Sequence, residues 1–131
     1  MFGVHVEKIG DVAIIRCEGR MIGSDAVFKL RDEARGQRDS KILLLDLSEL
    51  DLLGGDVLGM LVFLQGWARG LGIQLKLFDP PAGVRRRLQQ LHLAIELEIA
   101  SMDDLLSILD WEGPRNRIVE SAKEAQELKA A

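Results

Sequence analysis

The segment that most constrains this chain is a short, nearly continuous apolar run, Ile42-Leu43-Leu44-Leu45-Asp46-Leu47. A strand that is covered on both faces has apolar residues throughout, whereas a strand with one wet face alternates apolar and polar residues. The run therefore predicts a central strand that is buried on both sides. Such a strand requires further elements on each side of it, and the neighbouring sequence supplies them.

Strands and helices alternate along the chain on either side of this run. Val4–Ile9 and Val12–Cys17 have β-type patterns separated by the turn Gly10-Asp11, which predicts an antiparallel hairpin. The other predicted elements are, in chain order, a loop over Gly19–Gly23, a helix capped by Ser24 or Asp25 and ended by Gly36, a long helix from Asp56 to about Arg69, a strand over Ile73–Phe78, a helix marked by Val84, Leu88 and Leu91, an edge strand over Ile95–Ile99, and a helix opened by Ser101-Met102-Asp103-Asp104 that runs through Leu109. This order predicts an α/β domain whose central strands are parallel.

The composition changes beyond Trp111, where Gly113-Pro114 indicates a break. We therefore predict a domain over residues 1–111 and a helical extension over 112–131. The extension has a thin apolar stripe, Ile118, Ala122, Ala125 and Leu128. That stripe is compatible with docking on the domain, with binding to a partner, or with a frayed tail.

Charge and composition exclude several classes of function. The 131 residues have 47% hydrophobic content and a net charge of −4, which favours a folded domain and gives no basic surface for nucleic acid. No apolar segment approaches the ~20 residues that span a bilayer, and the N-terminus lacks a secretory signal pattern. The single cysteine, Cys17, lies in an apolar strand and is predicted to be a buried thiol. We expect a cytoplasmic protein without membrane insertion.

No catalytic or metal-binding constellation is evident, and no cofactor is expected. His5 and His92 are far apart and have no partners at metal-ligand spacing. Gly54-Gly55-Asp56 stands at a strand-to-helix junction but lacks the residues of a phosphate-binding loop, so a tight turn with an Asp cap is the simpler interpretation. Arg85-Arg86-Arg87 forms a basic cluster whose side chains project in three directions on a helix, which favours a solvated face.

The helix that begins at Asp56 is apolar on more than one face. One stripe, Val57, Leu61, Leu64, Ala68 and Leu71, is sufficient to cover a sheet. A second stripe, Met60, Phe63 and Trp67, remains. A helix of this kind is either buried on both sides or contacts another molecule, and both interpretations stay open.

Four stretches, taken in order, resemble the STAS family, the domain of bacterial anti-sigma-factor antagonists. They are residues 10–19 with Ser24-Asp25-Ala26 after them, the run 42–50 that ends in Asp-Leu-Ser-Glu-Leu, the strand 70–78 led by Gly-Leu-Gly, and the proline-led helix 81–88. The resemblance spans roughly residues 4–110. It implies a mixed sheet of about five strands with an N-terminal antiparallel hairpin, about four helices, and here an extra C-terminal helix.

The chain departs from that family at the site of regulation. The family usually has Asp-Ser-Ser-Gly before its second helix, and a partner kinase phosphorylates the first serine. That tetrad falls on Gly54-Gly55-Asp56-Val57, so the phosphoacceptor position is Gly55, which has no hydroxyl. Asp56 supplies a carboxylate one residue later, and whether it imitates a phosphate stays open.

The resemblance implies a non-catalytic module that binds a regulatory protein, an anti-sigma factor of kinase-type fold, without serine phosphorylation. A second copy of the chain is an alternative partner. The predicted contact residues are Ser24, Asp25, Gly54, Gly55, Asp56, Val57, Met60, Phe63 and Trp67. Two other functions stay open: a nucleotide or small-ligand binding module, and a STAS-type accessory subunit of a transport system.

Overall fold

A computed structural model describes residues 2–90 and 98–112 of the chain. The elements, in chain order, are β1 (Phe2–Ile9), β2 (Val12–Met21), α1 (Ser24–Arg35), β3 (Ile42–Leu53), α2 (Gly55–Gly70), β4 (Gln74–Phe78), α3 (Ala82–Gln89), β5 (Glu98–Ala100) and α4 (Met102–Glu112). The predicted order of strands and helices is confirmed for these residues. His92, Leu91, the first part of the predicted edge strand and the C-terminal stripe at 118–128 lie outside the described residues.

The five strands form one mixed sheet in the order β1-β2-β3-β4-β5. β1 and β2 are antiparallel and are joined through the turn at Gly10, whose φ of 57° is easily adopted only by glycine. β2, β3, β4 and β5 run parallel to one another. The predicted hairpin and the predicted parallel centre are both confirmed.

The apolar run in β3 is buried on both faces, as predicted. Leu43 and Leu45 belong to a large core that α1, α2 and α3 cover, whereas Leu44 belongs to a second core that α4 covers. Successive side chains of a strand point to opposite faces, so this division follows directly from the pleat. Within residues 2–90 and 98–112, the sheet is a central layer with three helices on one side and one helix on the other.

Two strands are longer than predicted, and the predicted loop over Gly19–Gly23 is largely wrong. β2 continues to Met21 and β3 continues to Leu53, as a paired extension beyond the end of β4. While β2 advances from Arg16 to Met21, β3 advances from Asp46 to Leu53, so β3 carries extra residues at two register shifts. These shifts place buried leucines three residues apart in a strand, a spacing that does not have the β period of two.

The helix termini also differ from the prediction. The N-cap of α1 is Gly23, and neither Ser24 nor Asp25 caps the helix with its side chain. α2 begins at Gly55 with Gly54 as its N-cap, so Asp56 lies inside the first turn and is not the cap. Leu71, which we predicted to cover the sheet, is 54% exposed because α2 ends at Gly70 and the chain turns away from the helical path there.

Candidate functional site

The candidate site lies where the extended ends of β2 and β3 lead into α1 and α2. Because the two strands are parallel, their carboxyl ends reach the same edge of the sheet. The backbone N–H of Gly54 donates to the carbonyl of Met21 at 2.9 Å, which joins the two strand ends directly. The segment before α1 and the segment before α2 therefore form one continuous edge.

Asp56 links the starts of the two helices. Its Oδ2 accepts a hydrogen bond from the backbone N–H of Gly23 at 2.8 Å, and its Oδ1 accepts one from the N–H of Val57 at 2.9 Å. Gly23 and Asp56 are 33 residues apart in sequence. Through this contact the structure brings the predicted residues Ser24 and Asp25, which follow Gly23, to the predicted loop 54–57.

The two glycines of the loop have different surroundings. A Cβ on Gly54 would lie 2.6 Å from Ile22 Cγ2 and 2.8 Å from Asp56 Oδ1, so no side chain fits there without movement. A Cβ on Gly55 would have one described atom within 4 Å, Nη2 of Arg87 on α3, at 3.8 Å. Gly55 is exposed and has room for a side chain, although this residue itself supplies no phosphoacceptor.

The second apolar stripe of α2 lies at the border between core and solvent. Asp56, Met60, Phe63 and Trp67 have the i, i+4, i+7, i+11 spacing that places them on one side of a helix. Met60 and Trp67 are half-buried and pack against the large core, whereas Phe63 is 52% exposed. The stripe is thus only partly left over from sheet packing, and Phe63 is its exposed member.

Two exposed apolar residues outside this stripe were missed by the sequence analysis. Ile22, in the short loop before α1, is 44% exposed and packs closely on Gly54. Phe28, on α1, is 50% exposed, and the Arg31 guanidinium lies over its ring at 4.9 Å. The available signals were an apolar residue inside a predicted loop and an aromatic residue two positions from the buried Ala26, which a helix places on another face.

Two potentially reactive side chains of the described residues are Cys17, which is buried in the core, and His5, which contacts Glu18. Burial, with a smaller effect from the Asp46 carboxylate, raises the pKa of the Cys17 thiol to about 12. His5 Nε2 lies 2.8 Å from Glu18 Oε1 in an exposed pair.

Among residues 2–90 and 98–112, no group of three or more His, Cys, Asp or Glu side chains is arranged to hold a metal ion. In the same residues, no helix has the length and apolar content needed to cross a membrane.

Comparison with known proteins gives a clear result for the fold. No family model matches the sequence, and no curated protein matches it. Among solved structures, the unphosphorylated anti-sigma factor antagonist SpoIIAA is similar with a TM-score of 0.69 and 14% identity, over 82% of this chain and 96% of that one. An anti-sigma factor antagonist from Mycobacterium paratuberculosis has a TM-score of 0.64 and 20% identity, over 84% and 95%. RsbS of Moorella thermoacetica has a TM-score of 0.62 and 19% identity, over 75% and 86%.

These structures confirm the expected STAS-type fold for this chain. At such low sequence identity the similarity concerns the fold alone, because one fold hosts many functions. The residues at the edge formed by Gly23 and the loop 54–57 are therefore the basis for a functional proposal.

Proposed function

We propose that this chain is a non-catalytic regulatory module that binds a partner protein through the loop 54–57 and the exposed side of α2. The observation that carries the proposal is the exposed Phe63 beside this loop. We call the residues Ile22, Ser24, Asp25, 54–56, Met60, Phe63 and Trp67 the partner surface. Val57, which the sequence predicted as a contact residue, is fully buried in the large core and is not part of it.

An exposed aromatic side chain is the usual anchor of a protein interface, because it offers a large apolar area and loses little conformational entropy on binding. Phe63 has this character, and Ile22 adds a second exposed apolar group where the loop 54–57 meets the end of β2. The polar groups beside them, Ser24 and Asp25, are exposed at the start of α1. An apolar centre with a polar rim is the common arrangement of a protein-binding surface.

The fold supports a partner of the anti-sigma-factor class, since SpoIIAA and the similar protein from Mycobacterium paratuberculosis are anti-sigma factor antagonists. We propose an anti-sigma factor of kinase-type fold as the partner, in the cytoplasm of a bacterium, with a role in transcription regulation. Because Gly55 has no hydroxyl, binding at this position proceeds without the usual serine phosphorylation. Self-association through the same surface is the alternative assembly.

The first experiment compares two exposed apolar residues, Phe63 within α2 and Leu71 directly after it. Phe63→Ala should weaken binding of a purified partner, identified by affinity capture from the native cells, by about 2 kcal/mol or more if Phe63 is an anchor. Leu71→Ala is the matched control, because Leu71 has similar exposure and lies at the opposite end of α2 from the loop 54–57. Isothermal titration calorimetry and size-exclusion chromatography measure partner binding and self-association.

Equal affinities of the wild type and Phe63→Ala would contradict the proposed surface. Binding of ATP or GTP to the isolated protein would instead support the nucleotide-binding function. Trp67→Ala is a less selective variant, because Trp67 packs against the core and its removal should also lower the free energy of unfolding.

A further inference from the structure

Asp56 heads the same side of α2 as Met60 and Phe63, but its carboxylate is directed to the backbone of the protein. One oxygen accepts the N–H of Gly23, and the other accepts the N–H of Val57. Hydrogen bonds to an ionised acceptor are stronger than those between neutral groups. A carboxylate held in this way has both oxygens engaged within the molecule.

The backbone of Gly23 is shaped for this contact. Its φ of 89° and ψ of 168° lie in a region that essentially only glycine occupies. Gly23 is also the N-cap of α1, and it caps the helix through its backbone, because its carbonyl accepts the N–H of Val27 at 3.1 Å. The N–H of the same residue donates to Asp56, so Gly23 connects the start of α1 to α2.

Two further contacts reinforce the link between the same segments. Gly54 donates its N–H to Met21, and the Ile22 side chain packs on Gly54 so closely that a Cβ there would overlap it. Ile22 lies directly between Met21 and Gly23, the two residues whose backbones are joined to the start of α2. Its position relative to α2 is therefore determined on both sides.

We infer that Asp56 is a positioning residue: its carboxylate holds the start of α1 against the start of α2 and fixes Ile22 against Gly54. This inference rests on the proposed function for its biological meaning. The Asp56 carboxylate is exposed, but each of its oxygens already accepts a backbone N–H, so we assign it to the link between the two helix starts. The partner surface is assembled before the partner binds, and its affinity does not depend on a phosphorylation step.

Amide hydrogen exchange of ¹⁵N-labelled variants measures the contact between the Gly23 N–H and Asp56 in the isolated protein. Asp56→Ala should accelerate exchange at the Gly23 amide by about tenfold or more, because this amide loses its charged acceptor. Asp51→Ala is the matched control, since it removes an exposed carboxylate from the end of β3 and should leave Gly23 unchanged. Asp56→Asn retains one acceptor oxygen and the side-chain volume, so it should give an intermediate rate and serves if the alanine variant does not fold.

Unchanged exchange at Gly23 in Asp56→Ala, or in Asp56→Asn where only that variant folds, would overturn the inference. Partner affinity of the same variants separates the two levels of the proposal. A lower affinity together with faster Gly23 exchange supports a positioning role, whereas a lower affinity with unchanged exchange shows direct recognition of the carboxylate and overturns it. Failure of the wild type to bind any partner would remove the proposed function, while the exchange result would still decide the role of Asp56 in the fold.

Discussion

At the scale of single residues, Gly54 and Gly55 show how differently two adjacent glycines are constrained. Gly54 has ordinary extended dihedral angles, so its requirement for glycine comes from the close approach of Ile22 and Asp56. Gly55 stands at the first helical position with free space above it. Close contacts therefore account for the glycine at position 54, whereas position 55 has room for a side chain.

This contrast gives a paired prediction. Gly54→Ala should lower the free energy of unfolding by about 1–3 kcal/mol, because the new methyl group displaces Ile22 or the Asp56 carboxylate. Gly55→Ala should change it by no more than about 0.5 kcal/mol, since no backbone or core atom is near. Urea denaturation followed by circular dichroism measures both. Equal effects of the two substitutions would show that Ile22 yields without cost.

At the scale of elements, the predicted opening residues of α4, Ser101 and Asp104, form a reciprocal cap at the helix start. The N–H of Ser101 donates to Asp104 Oδ2 at 2.9 Å, and the N–H of Asp104 donates to Ser101 Oγ at 3.1 Å. This reciprocal pair satisfies two backbone donors at the helix start. The bond from the Ser101 N–H, followed by the contribution of the Ser101 side chain, lowers the pKa of the Asp104 carboxyl.

A lowered pKa in the folded state has a defined consequence for pH dependence. The contribution of Asp104 to stability is present above its unfolded pKa of about 4 and is lost as the pH falls through the folded value. Asp104→Ala should therefore have a lower Tm than the wild type at pH 7, and the difference should shrink below about pH 4. Ser101→Ala is the control, because a hydroxyl does not titrate there and its loss of Tm should persist in acid. A pH-independent difference for Asp104→Ala would contradict this account.

At the scale of the whole molecule, β2, β3 and β4 each contribute to two cores on opposite faces of the sheet. One core lies under α1, α2 and α3 and the other under α4, and Leu43, Leu44 and Leu45 of β3 contribute to them alternately. Since β3 cannot remain a strand in water after either face is uncovered, the two cores should unfold together. The sheet with all its covering helices is then one cooperative unit.

Substitutions in each core test this cooperativity. Leu64→Ala in α2 and Leu109→Ala in α4 each remove a fully buried side chain and should each cost about 2–5 kcal/mol. Both variants should still unfold in a single transition whose calorimetric and van't Hoff enthalpies agree. Two separate transitions in Leu109→Ala would show that α4 and its core are an independent unit.

Local patterns in the sequence were sufficient for the architecture. The apolar run at 42–47 predicted the doubly covered central strand, and the turn at Gly10 predicted the hairpin, because both signals depend on neighbouring residues alone. The helix order and the Ser101–Asp104 cap followed for the same reason. The resemblance to the STAS family, carried by the order of four motifs, predicted the fold that solved structures share with this chain.

The sequence by itself determined which segments form strands and helices, since side-chain periodicity is a property of consecutive residues. Only the tertiary structure decided how far β2 and β3 extend, because their register shifts depend on the pairing of two strands distant in sequence. It also decided that Leu71 leaves the core and that Asp56, besides accepting the N–H of Val57 in its own helix, binds Gly23. A contact between residues 33 positions apart depends on which strand ends meet at the sheet edge, and no local pattern records that.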